Sequence, residues 1–218
     1  MKRTWHYLPL LFLPVLAQAQ SALDVNVNFG SAFDSATGLG IDNLNSANAL
    51  GGCRPSSADA FCQATPKLNG FFLGFGGDIM FRQRLGVGAE INFQPVHQDY
   101  GPLKSRETFI DVNGIYEPLI TKRAIVQLQG GLGVAKTGFT IAQNACVGTA
   151  VCVNQVSSVG SANHFQLHLG AGLQIALTDR FFVRPQFDLH YVTNLTDQFG
   201  SNWVPEATVA VGYHFGEH

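Results

Sequence analysis

Ionisable residues occupy alternate positions in several segments that are otherwise apolar. Five carboxylic acids and one arginine show this spacing, and three histidines share it: Asp78, Glu90, Asp111, Asp188, Glu206 and Arg184, with His168, His190 and His214. Side chains two residues apart lie on the same face of a β-strand, so each segment has one polar face. Acids, a guanidinium and imidazoles on such a face could form a hydrogen-bonded network, line a narrow ion path, or transfer protons.

The alternation predicts eight strands, each with an apolar face opposite the polar one. They span residues 22–30, 69–81, 85–95, 106–117, 124–135, 163–177, 181–192 and 204–215. Within the core of these spans the apolar face carries no Asp, Glu, Lys or Arg, and Arg106 lies at the very start of the fourth span. Because a charge facing lipid at mid-depth costs about 2–4 kcal/mol, an uncharged face is what a strand in contact with hydrocarbon requires.

The connections alternate between long and short. Long ones cover residues 31–68, 96–105, 136–162 and 193–203, and short ones cover 82–84, 118–123 and 178–180. Short periplasmic turns and long extracellular loops are typical of bacterial outer-membrane barrels. We therefore predict an all-β fold, an eight-stranded antiparallel up-and-down transmembrane β-barrel. Residues 139–141 and 153–156 continue the alternation, which allows the third connection to extend as a hairpin.

The N-terminus predicts export. Lys2 and Arg3 precede an apolar stretch at 8–17, and Ala17 and Ala19 fit a small-x-small cleavage site. We predict a signal peptide at 1–19 and a barrel domain at 20–218. No later apolar run reaches the roughly 18 residues of a membrane helix. Charged residues make up 13% of the chain, the net charge is −2 and there is no basic cluster, so we expect no nucleic-acid partner.

All four cysteines lie in the long connections. An oxidising exterior favours disulfides, and short loops favour pairing Cys53 with Cys62 and Cys146 with Cys152, although four cysteines allow three pairings. The spacing does not match a zinc site, so we expect no metal and no cofactor.

The interior of an eight-stranded barrel is just wide enough to be filled by side chains. We therefore expect the inward acids and Arg184 to form a polar network, with Arg184 serving several carboxylates. Glu90 and Asp111 should lie at similar depth on neighbouring strands, whereas the three histidines should lie at different depths. Pro185 cannot donate a ladder hydrogen bond, so we expect a bulge there or a position near the short turns.

The last strand, residues 209–215, has apolar residues at alternate positions and ends on Tyr213 and Phe215. It resembles the C-terminal assembly signal of the small outer-membrane β-barrel proteins, the eight-stranded group typified by outer membrane proteins A and X. The resemblance implies that the barrel-assembly machinery recognises this strand. The chain departs from the family in continuing for three residues after Phe215, where the family typically ends on the aromatic.

These observations favour a non-enzymatic, monomeric outer-membrane scaffold. Its disulfide-pinned extracellular loops would serve surface interactions with an unknown partner, or envelope integrity. Lys104 and Arg106, at the long-loop rim, could contact lipopolysaccharide phosphates. The alternatives are a narrow porin-like channel, a lipid A-modifying enzyme that uses His164 near Ser161, and a soluble exported barrel that binds a small apolar ligand.

Overall fold

The computed structural model describes residues 22–34, 68–100, 103–147, 151–197 and 199–216. In these ranges the chain forms nine strands and one short 3-10 helix, Leu195–Asp197. The strands are β1 (Ala22–Ala32), β2 (Phe71–Arg82), β3 (Leu85–Phe93), β4 (Gln98–Tyr100), β5 (Leu103–Ile120), β6 (Ala124–Val147), β7 (Val151–Ala176), β8 (Phe181–Val192) and β9 (Trp203–Phe215). Among the described residues, no helix has the length and hydropathy needed to cross a membrane.

The strands close into a barrel. The sheet order is β3-β2-β1-β9-β8-β7-β6-β5-β4, all neighbours are antiparallel, and a further pairing of β3 with β5 joins the two ends. The three-residue β4 pairs only with the start of β5, so eight strands form the wall. The predicted eight-stranded antiparallel barrel is confirmed, and β4 is an addition within the second connection.

Burial alternates along the wall as the sequence predicts. Apolar side chains point outward and remain exposed, with Val112 at 60%, Leu132 at 57% and Leu169 at 64%. The polar residues between them point inward and are buried. A pleated strand places alternate side chains on opposite faces, so the wall separates an apolar exterior from a polar lumen.

The third connection is largely a hairpin rather than a loop. β6 extends to Val147 and β7 starts at Val151, well beyond the predicted limits of 135 and 163. The alternation noted at 139–141 and 153–156 continues into this two-stranded ladder, with a register shift between Phe139 and Thr140. The fourth connection contains the 3-10 helix, and most of the first connection lies outside the described residues.

Pro185 interrupts one ladder without changing its register. It pairs with Val209 on β9, but β7 and β8 form no pairs between Gly172↔Gln186 and Ile175↔Val183. The register is the same on both sides of this gap, so the expected bulge is wrong. The gap lies close to the short turn before β8, in agreement with the other expectation, and it arises because proline has no N–H to donate.

Candidate functional site: the lumen and its two ends

A buried ion pair crosses the lumen. Arg184 on β8 donates from Nη1 to Oδ2 of Asp78 on β2 over 2.6 Å, and to Oε1 of Gln127 on β6. Gln127 in turn donates from Nε2 to the same Asp78 oxygen over 3.2 Å. Arg184 is only 1% exposed. Since β2, β6 and β8 are not neighbours in the sheet, these contacts link separate parts of the wall through the interior.

Two histidines form a stacked pair on the long-connection side of that ion pair. His168 and His190 are register partners on β7 and β8, with ring centroids 4.7 Å apart and 11° between the planes. His168 Nε2 lies 2.8 Å from Asp188 Oδ1, and His190 Nε2 lies 3.0 Å from Glu206 Oε2. The expectation that all three histidines lie at different depths is wrong for this pair, because the β7–β8 register places them opposite each other. His214 lies apart, bonded to Asp24 near the short turns.

The remaining acids are held by amides as well as by imidazoles. Glu90 and Asp111 are register partners on β3 and β5, as predicted. Asp111 accepts a 2.7 Å hydrogen bond from Gln166, Glu90 accepts one of 2.5 Å from Asn92, and Asp188 accepts bonds from Gln129 and Gln186.

Arg184 therefore makes a direct contact with only one of the carboxylates that it was expected to serve. His168 and His190 contact two of the other buried carboxylates, those of Asp188 and Glu206. Both histidines could be identified as inward-facing from the sequence, but their stacking depends on strand register. In the described part of the chain, no group of three or more His, Cys, Asp or Glu side chains is arranged to hold a metal ion.

An apolar cluster lies across the lumen at the long-connection end. Its buried members come from six strands and from two connections: Ala32, Leu68, Phe72, Phe109, Ala135, Phe139, Val192, Leu195, Phe199 and Val204. Phe109 stacks on both Phe72 and His190, with centroid separations of 5.6 and 4.8 Å. We call this set the apolar cap; the buried register partners Glu107 and Thr137, joined by a 2.7 Å hydrogen bond, lie at the same level.

Three cations share the outward face near the same end. Lys104 and Arg106 lie on β5, and Lys136 lies beside them on β6, opposite Thr108. The Arg106 guanidinium is 5.5 Å from the centre of the Phe93 ring, and Lys104 forms an exposed ion pair with Asp99 at 3.8 Å. We call Lys104, Arg106 and Lys136 the outer basic patch. Lys136 was not predicted, because its proximity to the other two depends on the β5–β6 register.

An open cavity of about 780 Å³ lies at the short-turn end. The turns after β5 and after β7 contribute Lys122, Arg123, Asp179 and Arg180, and Gln174 and His214 also line the cavity. We call it the short-turn cavity. Sequence reasoning missed it, because turn residues distant in the chain meet only when the barrel closes.

The structure does not assemble the predicted histidine–serine pair. His164 Nδ1 lies 2.8 Å from the carbonyl oxygen of Thr193. Ser161 is three residues away on the same strand, and both lie in regular pairing with β6, so their side chains point to opposite faces. These two residues do not form the nucleophile and base of a hydrolase.

Two of the four cysteines lie within the described residues. Cys146 and Cys152 are register partners across the β6–β7 hairpin. Cys53 and Cys62 lie outside the described residues, as do residues 1–19.

Sequence comparison identifies the class of protein that this barrel represents. A family model described as "Outer membrane protein beta-barrel domain" matches residues 7–215, so the chain belongs to that family. It is an integral protein of the bacterial outer membrane, with its apolar exterior in the bilayer. The short turns therefore face the periplasm and the long connections face outward. No curated protein matches the chain in sequence.

Solved structures show the same fold at low sequence identity. Neisserial surface protein A is 11% identical with a TM-score of 0.52, over 89% of this chain and 98% of that one. The outer membrane protein OprG from Pseudomonas aeruginosa is 15% identical with a TM-score of 0.51, over 91% and 97% of the two chains. Ail, the attachment invasion locus protein of Yersinia pestis, is 12% identical with a TM-score of 0.49, over 90% and 99%. At these identities the likeness concerns the fold alone.

Proposed function

We propose that the protein is a non-enzymatic outer-membrane scaffold that presents the β6–β7 hairpin at the cell surface and binds lipopolysaccharide at the outer basic patch. The observation that carries the proposal is the length of the hairpin. Pairing of β5 with β6 ends at Lys104↔Thr140, whereas β6 continues to Val147. Seven further residues at about 3.3 Å each carry the hairpin roughly 23 Å beyond Lys104, near the start of β5.

A disulfide between Cys146 and Cys152 would close this hairpin near its tip. Directly opposed residues in an antiparallel ladder have Cα atoms about 4.5–5.5 Å apart, which lies within the range that a disulfide spans. The register pairing of the two cysteines supports this assignment. We propose the Cys53–Cys62 disulfide on loop length alone. Loops constrained by disulfides on a rigid barrel are suited to recognition, because they lose little conformational entropy when a partner binds.

The filled lumen favours a scaffold over a conducting pore. Arg184, His168 and His190 are each bonded to acids within the barrel, and the buried apolar side chains of the cap lie at its extracellular end. Ions would have to break these bonds and cross the cap. In planar bilayers we expect no regular single-channel steps from the purified full chain, and steps with a reproducible conductance would contradict the scaffold assignment.

Lipopolysaccharide binding is supported by the position and chemistry of the outer basic patch. Its cations lie on the lipid-facing side of the barrel, at its extracellular end, and Arg and Lys both bind phosphate through charge-assisted hydrogen bonds. The double variant Arg106→Gln/Lys136→Gln should retain less lipopolysaccharide per barrel after purification. Arg82→Gln, at the periplasmic end of β2, is the matched control. Equal retention by the patch variant would contradict this assignment.

Surface display is tested by removing the hairpin without touching the barrel. Replacing residues 142–156 with Asn-Gly supplies a tight turn just above the Ile141↔Ser157 pair. Cells carrying either chain are then tested for adhesion to immobilised matrix proteins and sulfated polysaccharides. We expect equal amounts of heat-modifiable barrel in the outer membrane and loss of adhesion in the deletion variant. Unchanged adhesion would contradict a role for the hairpin.

We further propose that residues 1–19 are removed on export. The mature chain should then begin at Gln20, which N-terminal sequencing of the membrane-extracted protein measures. Mass spectrometry of lipid A from cells with and without the protein should give identical spectra, because we assign no enzymatic role. A protein-dependent change in acylation would overturn the non-enzymatic part of the proposal.

A further inference from the structure

We propose that the short-turn cavity is a binding site for a phosphate-bearing ligand at the periplasmic end of the barrel. Two turns form its mouth, residues 121–123 after β5 and residues 178–180 after β7. They are joined through the backbone, since the Ala176 N–H donates to the carbonyl oxygen of Arg123 over 2.9 Å. Residues from both turns therefore line one space in a fixed relation.

The charged side chains that line the short-turn cavity favour an anionic ligand. Among the described residues that line it, Lys122, Arg123 and Arg180 are cations and Asp179 is an acid, so three positive charges meet one negative charge there. The Arg180 guanidinium is held in place by the 3.0 Å hydrogen bond that its Nη1 donates to the Tyr213 hydroxyl. A guanidinium with its remaining N–H groups available, next to a second arginine and a lysine, suits the tetrahedral oxygens of a phosphate.

A buried amide adds a second polar feature. Gln174 lines the cavity and is only 5% exposed. Its Nε2 donates to Asp24 over 3.3 Å, whereas its Oε1 is buried and has no hydrogen-bond partner among the described residues. A buried acceptor without a donor is unfavourable. A ligand that carries a hydroxyl or ammonium group next to its phosphate would supply that donor.

Much of the remaining lining is apolar, although it also includes Thr121, Thr178 and His214, and this limits the chemistry of the ligand further. Ile120, Ile125, Leu177, Phe181 and Phe182 contribute to the walls. A cavity of about 780 Å³ is much larger than inorganic phosphate requires. The ligand is therefore a phosphate ester with an attached polar group and some carbon framework. The headgroup of a periplasmic-leaflet phospholipid has this chemistry, and so does a phosphorylated solute of the periplasm.

The experiment uses the full mature barrel with both turn cations neutralised, Lys122→Gln/Arg123→Gln. Both residues are exposed in a turn, so the variant should still fold, and heat-modifiable migration checks this. Arg82→Gln is the matched control, because it removes an exposed arginine at the same end that does not line the cavity. Native mass spectrometry counts the phospholipids retained after detergent extraction, and calorimetry measures binding of glycerol 3-phosphate, with glycerol as the uncharged comparison.

We expect the double variant to lose phosphate-ester binding by about tenfold, since each exposed charge contact contributes up to roughly a factor of five. Loss of retained phospholipid identifies the headgroup as the source, and loss of glycerol 3-phosphate binding identifies a soluble ligand. The site is overturned if the wild-type barrel binds neither probe. It is also overturned if the double variant binds like the wild type, or if Arg82→Gln loses as much as the double variant.

Discussion

Replacing Arg184 with methionine should strongly destabilise the barrel. The side chain is 1% exposed and donates to Asp78 over 2.6 Å and to Gln127. Without it, the Asp78 carboxylate remains buried with the Gln127 Nε2 as its remaining donor, 3.2 Å away. Breaking a buried ion pair by removing one partner costs about 3–5 kcal/mol. The folding equilibrium constant should therefore fall by roughly two to four orders of magnitude.

The assay is urea unfolding of the full mature chain in phospholipid vesicles. Unfolding is monitored by tryptophan fluorescence and by the migration of unheated samples on gels. The double variant Asp78→Leu/Arg184→Met removes both charges, so it should recover most of the lost free energy. Arg82→Met, which removes an exposed arginine, should leave the unfolding midpoint unchanged. The reasoning is refuted if Arg184→Met unfolds within about 1 kcal/mol of the wild type, or if the double variant is as unstable as the single one.

The other predictions concern the exterior, the hairpin and the last strand. Leu132→Arg, which places a charge on the lipid-facing side, should lower the free energy of unfolding in vesicles by about 2–4 kcal/mol, whereas Val96→Arg in the second connection should lower it far less. Peptide mapping without reductant should recover Cys146 linked to Cys152, and separate peptides would contradict the proposed disulfide. Phe215→Ala should reduce the amount of heat-modifiable barrel in the outer membrane while leaving export intact, and equal amounts would count against an assembly signal there.

The wall of the barrel could be predicted from the sequence because it depends on a local rule. In every strand the side chain of residue i shares a face with residue i+2, so inward positions such as Asp111 and outward positions such as Val112 follow from the alternation. The frequent glycines fit the same rule. A Cβ at Gly133 would lie 2.0 Å from the backbone oxygen of Ile110 and 2.5 Å from Oδ1 of Asp111, so glycine leaves space for the backbone and the polar side chain of the neighbouring strand.

The contacts inside the barrel could not be predicted, because they depend on register and closure. The stacking of His168 on His190 follows from the β7–β8 register, which no single strand specifies. Arg184 reaches Asp78 on a strand from the opposite half of the chain, a contact that exists only after closure. The full length of the third hairpin could not be predicted either, because beyond Thr140 the β6–β7 ladder continues without pairing to β5 and so does not end where the wall ends.

The seam of the barrel joins strands from the two ends of the chain. β1 pairs with β9 from Leu23↔Phe215 to Ala32↔Glu206, and a buried hydrogen bond between His214 and Asp24 crosses the junction. One edge of β1 therefore has no partner until β9 is available, and the residues joined across the junction, Asp24 and His214, lie 190 positions apart in the chain. Closure of the barrel must follow the arrival of β9, and until then the open edge of β1 is vulnerable to pairing with other chains.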